Sequence, residues 1–337
     1  MKKGILLLNL GSPDSPSVKD VRRYLAQFLM DDCVIDIPWL LRFLVVYGIV
    51  LPRRPQETAK GYRQVWTAEG SPLLMHSRAF KAGMEPLVSN ATTGLYLAMR
   101  YGKPAIPDVL REMRDDGITE LVVVPMYPHE AMSSTQTAVR ECERSLRALA
   151  WRPEMRVVPP FYAHPRYIAA LTARISESLS ATPWEHLLFS YHGLPERHLK
   201  KTDPTGSHCM RKSDCCTQPS AAHATCYRHQ VFETTRLVAE AMGLRSDQYS
   251  VSFQSRLGRD KWLEPFTDPH VESLFRGGIK HLAVVCPAFV ADCLETIEEI
   301  GEVTREKFLH MGGESFTLVP CLNTDPEWVS ALVDIIG

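Results

Sequence analysis

Leu187-Leu188-Phe189-Ser190-Tyr191-His192-Gly193-Leu194-Pro195-Glu196 is the stretch on which the fold turns. An apolar run ends in a lone histidine, then a Gly-x-Pro turn and an acid. That order puts an imidazole at the carboxyl end of a strand, where open α/β sheets form their ligand crevices. Imidazole has an unperturbed pKa of about 6.5, so it takes and returns protons near neutrality. The same pattern opens the chain, as Leu6-Leu7-Leu8-Asn9-Leu10-Gly11-Ser12-Pro13-Asp14. A second pair of similar runs covers residues 117–125 and 278–287, each a Val-rich segment ending in proline. Continuous apolar runs of this kind read as strands buried on both faces, which means parallel sheets covered by helices.

Helical periodicity fills the intervals, at residues 108–116, 135–149 and 229–242, the last stopped by Gly243. Strands alternating with helices predict an α/β chain, and the repeat predicts two similar Rossmann-like, doubly wound domains with parallel sheets. The expected division is residues 1–158 and 159–337, joined near Val158-Pro159-Pro160-Phe161, with the final helix free to pack back on the first domain. A cleft between such domains is the default ligand site. Leu10 stands where the second half has His192, so the base belongs to one half and the other supplies walls.

The 337 residues are 45% hydrophobic, enough for a large core, and 38 basic against 39 acidic side chains leave no field that would attract nucleic acid. Met1-Lys2-Lys3 followed by an apolar run has the look of an export signal. The run is short and leads into a turn, so a first buried strand is the expectation, with a cytoplasmic, reducing location. The nine cysteines are then free or metal-bound rather than paired. Residues 35–51 are the most hydrophobic segment, but Asp36, Pro38, Arg42 and Gly48 interrupt it, so it is no membrane span. It is either a buried helix or an apolar lip that touches lipid or encloses a greasy substrate. The Trp39, Phe43, Tyr47 stripe fits both.

Two constellations carry chemistry. After the second Val-rich strand, residues 287–302 read as a helix start with Asp292 and with Glu295, Glu299 and Glu302 at i, i+4, i+7 on one face. Such a row is either a solvated face or a path for protons or hydrated cations. Farther back lies Cys209-x5-Cys215-Cys216-x9-Cys226, within an insert (residues 203–226) rich in Gly, Ser, Pro, Asp and Thr. So little apolar surface invites a metal crosslink. Four thiolates suit zinc or an iron–sulfur cluster, and the missing paired hooks of zinc sites favour [2Fe–2S]. His208 and His223 are alternative ligands, and four incidental thiols are the plain alternative.

Ser190-Tyr191-His192-Gly193-Leu194-Pro195 resembles a motif of ferrochelatases, and Phe289-Val290-Ala291-Asp292-Cys293-Leu294-Glu295-Thr296 resembles that family's second motif. Leu8-Asn9-Leu10-Gly11-Ser12-Pro13, Gly70-Ser71-Pro72-Leu73, Arg100-Tyr101-Gly102 and Pro125-Met126-Tyr127-Pro128 fit it too, essentially end to end. The resemblance implies a chelatase-like fold and insertion of ferrous iron into protoporphyrin IX to make protohaem. It implies His192 and Glu295 as the catalytic pair and contacts with the substrate iron, and Asp292, Glu299 and Glu302 as proton or metal path. Leu10, Tyr62, Arg100, Tyr101 and Phe289 are the expected porphyrin contacts, with residues 35–51 as a lip and as the place of any peripheral membrane contact. Many family members have His where Cys293 stands. The Cys209–Cys226 insert resembles that of a cluster-bearing bacterial branch. The alternatives are a chelatase for coproporphyrin or cobalt, and a haem-binding iron–sulfur sensor without catalysis. Oligomeric state is not expressed in the sequence.

Overall fold

The structure is a computed structural model that describes residues 2–256, 258 and 260–337. By compactness the chain divides into two units. The first comprises Met1–Tyr127, Met132–Pro159 and Ile336–Gly337; the second comprises Pro128–Ala131 and Pro160–Ile335. Short segments change unit where hydrogen bonds claim them. Glu130 N–H donates to the Gln230 side chain (2.7 Å), and the Arg156 guanidinium donates to the Ile336 carbonyl.

The first unit holds strands β1 (Lys3–Asn9), β2 (Thr93–Met99), β3 (Glu120–Pro125) and β4 (Glu154–Val157) in the order β2-β1-β3-β4. Every pairing is parallel. The second unit repeats this with β5 (His186–His192), β6 (Tyr249–Gln254), β7 (His281–Val285) and β8 (Ser315–Leu318), ordered β6-β5-β7-β8 and again all parallel. The two long Val-rich runs of the sequence are β3 and β7. They are central strands buried on both faces, and each Val or Leu so buried contributes about 1.5–3 kcal/mol.

One face of the first sheet packs Leu6, Leu8, Leu121 and Val123 against Val109, Leu110 and Met113 of the helix Ile106–Asp115, and against Ala138, Cys142 and Leu146 of the helix Thr137–Ala148. In the second unit Leu188, Leu282 and Val284 meet Val271, Ile300, Phe308 and Phe316. The helix expected at residues 229–242 is Tyr227–Ala241, and Gly243 ends it at φ +66°. The helix expected at 135–149 is preceded by a π-turn, Met132–Gln136. In each sheet the chain leaves the first strand toward one edge and returns on its other side. The crevice of the second sheet therefore lies at the carboxyl ends of β5 and β7.

Residues 35–51 are not a buried helix. The helix Trp39–Val45 and the π-helical Val46–Val50 leave Trp39, Leu40, Leu41, Phe43, Leu44, Tyr47 and Ile49 exposed, the last at 65%. Stacking of Trp39 on Phe43 (5.4 Å) and Phe43 on Tyr47 (4.7 Å) organises one stripe of that surface. Arg42 and Val46 turn inward, Arg42 donating to the carbonyls of Ile35 and Ile37. No helix among the described residues is long and apolar enough to cross a membrane.

Candidate active site

His192 ends β5 half-buried. Its Nδ1 lies 2.7 Å from the Gly193 carbonyl. A carbonyl only accepts, so Nδ1 carries a proton, and in the neutral imidazole Nε2 keeps its lone pair. Tyr227 anchors the strand end by donating its hydroxyl to the His192 carbonyl (2.9 Å). Gly193 follows because a β-carbon there would sit 3.0 Å from the Gln254 carbonyl and 3.1 Å from that of Ser255.

Glu295 begins not an α-helix but a π-helix, Glu295–Thr304. With i→i+5 hydrogen bonds the turn is wider, and such segments gather at functional sites. The i, i+4, i+7 row read from sequence is corrected accordingly. Glu295 and Glu299 remain roughly one turn apart, but seven residues make roughly a turn and a half, so Glu302 leaves their face. Glu298 enters the group unannounced. Burial raises its carboxyl, and the charges of Glu299, Glu302 and Glu295 raise it further.

Gln254 joins the strand that ends in His192 to the π-helix that begins at Glu295. It is the register partner of His192 across β5 and β6. Its side chain is buried, accepts from the Ser190 hydroxyl (2.9 Å) and donates Nε2–H to the Glu295 main-chain carbonyl (2.8 Å). Ser190 shares a further bond with Thr267 (3.1 Å). The next residue, Ser255, donates its N–H (2.9 Å) and its hydroxyl to the Glu299 carboxylate. Burial raises the Glu299 carboxyl above the ordinary value. The Ser255 bonds and the His192 charge oppose that rise, while Glu295 adds to it. Glu299 thus senses both His192 and Glu295. Behind it a cavity of about 330 Å³ is lined by Ser255, Arg256, Thr267, Asp268 and Lys307.

The remaining expected residues divide. Phe289 holds its ring 6.5 Å from that of His192. Asp292 is corrected from path to strut. It is buried, and its carboxylate accepts from Thr296 (2.9 Å), the Asn323 amide (2.7 Å) and the Cys321 N–H (3.3 Å), bonds that tie it into the protein. In the first unit Leu10 is half-buried at the end of β1. Tyr62 and Tyr101, expected against the macrocycle, are core residues, with Tyr101 fully covered. The Tyr101 hydroxyl donates to Asp31 (2.9 Å), a carboxylate that also takes Arg100 and Thr137. Burial would raise the Asp31 carboxyl, but the bonds from Thr137 and Cys33 and the charge of Arg100 hold it below the ordinary range. Asp31, Asp32 and Cys33 are close enough to hold a metal ion, yet Asp31 is already committed to these partners.

Cys209, Cys215, Cys216 and Cys226 are all buried although the insert around them is largely exposed. Cys226 lies beside two of the others. Burial raises the Cys209 thiol, and the bond with Cys226, then burial, raises that of Cys216. Asp203 frames the loop by accepting the N–H groups of Thr205, His208 and Cys209, each at 2.8 Å. Sequence reasoning missed Glu298, Gln254, Ser255 and Asp203. For Gln254 and Ser255 the signal was their place at the end of β6, beside the histidine strand.

Two parallel four-stranded sheets with a histidine at a switch point and carboxylates beside it define a chelatase-type α/β protein. Among solved structures the fold is similar to SirB from Bacillus subtilis with Fe3+, at TM-score 0.56 and 13% identity, covering 100% of this chain and 94% of that one. The family model for ferrochelatase matches residues 2–337. The ferrochelatase of Stutzerimonas stutzeri (strain A1501) is 48% identical over 99% of this chain and 97% of its own length. That of Ectopseudomonas mendocina (strain ymp) is 50% identical over 97% and 95%. The chain belongs to the ferrochelatase family, enzymes that insert metal into porphyrin.

Proposed function

We propose that the chain inserts ferrous iron into protoporphyrin IX, with His192 as the base and Glu295 assisting. The observation that carries this is the contact of His192 Nδ1 with the Gly193 carbonyl, 2.7 Å. With Nδ1–H bound to the Gly193 carbonyl, Nε2 is an open lone pair, and Gln254 ties the carboxylate-bearing π-helix to the same strand end. Two pyrrole N–H protons leave as the metal takes their place, with no change in oxidation state. His192 accepts a pyrrole proton. Glu295, Glu298 and Glu299 pass protons outward toward the cavity behind Glu299, or guide the hydrated cation inward. Phe289 packs against the ring, and Leu10 is kept as a porphyrin contact. The exposed apolar face of residues 39–49 supports the lip reading, with peripheral contact to lipid and an otherwise cytoplasmic location.

We also read Cys209, Cys215, Cys216 and Cys226 as ligands of a [2Fe–2S] cluster. Four buried thiols in an otherwise polar loop are the donor set it requires. When bound, it would crosslink the insert and accept or release one electron; His192 and Glu295 need nothing from it for insertion.

The test is metal insertion into protoporphyrin by the purified protein, followed by fluorescence. Wild type should turn over and H192A should lose about 10²–10⁴-fold in kcat, while still quenching on porphyrin binding. Undiminished turnover in H192A overturns the assignment. Coproporphyrin offered in parallel separates the two porphyrins, and iron with acid-labile sulfide in equal amounts supports the cluster.

A further inference from the structure

We propose that Arg228 sets the reduction potential of the iron–sulfur centre held by Cys209, Cys215, Cys216 and Cys226, through the hydrogen bond from its guanidinium to the Cys216 sulfur. This rests on the cluster reading above.

Cys226 is the residue from which the helix Tyr227–Ala241 starts, so Arg228 stands in its first turn. Its Nη1 is 3.1 Å from the Cys216 Sγ. One turn on, Phe232 lies under the guanidinium, with Cζ 4.7 Å from the ring centroid. A planar cation stacked on an aromatic face loses little further freedom in pointing at an acceptor. The bond is therefore a fixed feature of the loop rather than a passing surface contact.

The other polar groups around the Cys215-Cys216 pair do different work. His208 Nε2 (2.6 Å) and His223 Nε2 (3.1 Å) meet the Cys215 carbonyl, and His229 Nδ1 (2.8 Å) meets that of Cys216. Each of these nitrogens must donate, because the carbonyl cannot. Asp203 holds the N–H of Cys209. These contacts fix backbone. Among the described residues, Arg228 is the cation with a hydrogen bond to one of the four sulfurs.

One-electron reduction adds a negative charge that spreads over the cluster and its thiolates. Hydrogen bonds and positive charge at a ligand sulfur stabilise that reduced form and raise the potential. The guanidinium stays charged throughout, so no proton needs to move at Arg228.

The experiment compares anaerobically purified full-length wild type, R228Q and R228K in dithionite titrations followed by visible absorption and EPR, with iron and sulfide measured on each. R228Q should keep the cluster and show an equilibrium constant for reduction lowered about tenfold, about 59 mV for one electron. R228K, which keeps the charge without the planar stacked fork, should shift less than R228Q. Wild type without iron and sulfide overturns the cluster reading itself. A cluster present in R228Q at the wild-type potential overturns the role of Arg228 and leaves that reading standing. Should R228Q shed its cluster, R228K decides. Retention with a shift smaller than tenfold supports the proposal, and a tenfold shift or loss in R228K as well refutes it.

Discussion

Replacing Gln254 by leucine tests whether Glu295 is held from behind. The side chain is buried and of similar size to leucine, so the change removes bonds rather than volume. Two strong hydrogen bonds go, the one from Ser190 (2.9 Å) and the one to the Glu295 carbonyl (2.8 Å), with a weak one from the Cys286 thiol (3.7 Å). Ser190 keeps its contact with Thr267, so it is not stranded. Each bond is worth about 1 kcal/mol net, and the half-buried Glu295 carbonyl adds about 1 kcal/mol for lost satisfaction, a total of about 2–3 kcal/mol. Local opening of residues 295–304 should then become roughly 30–150-fold more frequent, read by hydrogen exchange of that segment. Loosening the turn that aims Glu295 should lower kcat about 10–100-fold, because small misplacements of a reacting group are costly. KM for porphyrin should move less than about twofold, since Gln254 acts through the Glu295 backbone. S190A breaks the outer bond alone and should cost about 1 kcal/mol. Wild-type exchange at 295–304 together with wild-type kcat in Q254L would refute the reasoning.

D31N leaves the Arg100 guanidinium without its partner inside the first unit and should destabilise that unit by about 3–5 kcal/mol at pH 7. Asp31 is held below its ordinary value in the folded chain, so its contribution is complete above the unfolded pKa of about 3.9 and is lost as pH falls through the folded one. The gap between wild type and D31N, followed by urea unfolding, should therefore narrow only in acid; a constant gap down to pH 3 contradicts the assignment. Glu298 has the opposite sign. Burial and its neighbours raise it, so its penalty is absent below the unfolded pKa of about 4.3 and complete above the folded one. E298Q should gain a few tenths of a kcal/mol over wild type as pH climbs from 4 to 7. No gain, or a gain confined to acid, counts against a repelling carboxylate group. L41S with L44S alters exposed side chains, so thermal stability should change by less than about 0.5 kcal/mol. A larger loss would mean that residues 39–49 are part of a core.

The central strands were legible because nothing else in a chain looks like Leu121-Val122-Val123-Val124: a run buried on both faces needs no alternation. The edge strands Glu154–Val157 and Ser315–Leu318 went unforeseen, being four residues each and only partly covered. His192 was readable from its place between an apolar run and a turn. The carboxylate row was readable in composition but not in geometry, since counting by α-helical turns cannot reveal i→i+5 bonding. Periodicity could not decide residues 35–51, because a buried stripe and an exposed one have the same spacing. Tyr101 and Arg100 were misplaced for a different reason. Asp31, which takes both, lies 69 and 70 positions away, and a single sequence carries no mark of that meeting.

Gly11 and Gly193, which close the twin motifs, carry a last consequence. At Gly11 the backbone runs at φ +98° and a methyl group would land 1.8 Å from the Tyr101 carbonyl, so both conformation and space forbid any other residue. At Gly193 the backbone is ordinary and the crowding is milder, 3.0 and 3.1 Å from two main-chain carbonyl oxygens that would have to give by a few tenths of an ångström. Alanine should thus ruin one copy and merely nudge the other, shifting the imidazole that precedes it. An identical letter in two aligned positions conceals two unlike tolerances: the half without the base is the less forgiving, and the half with it leaves room for gradual tuning.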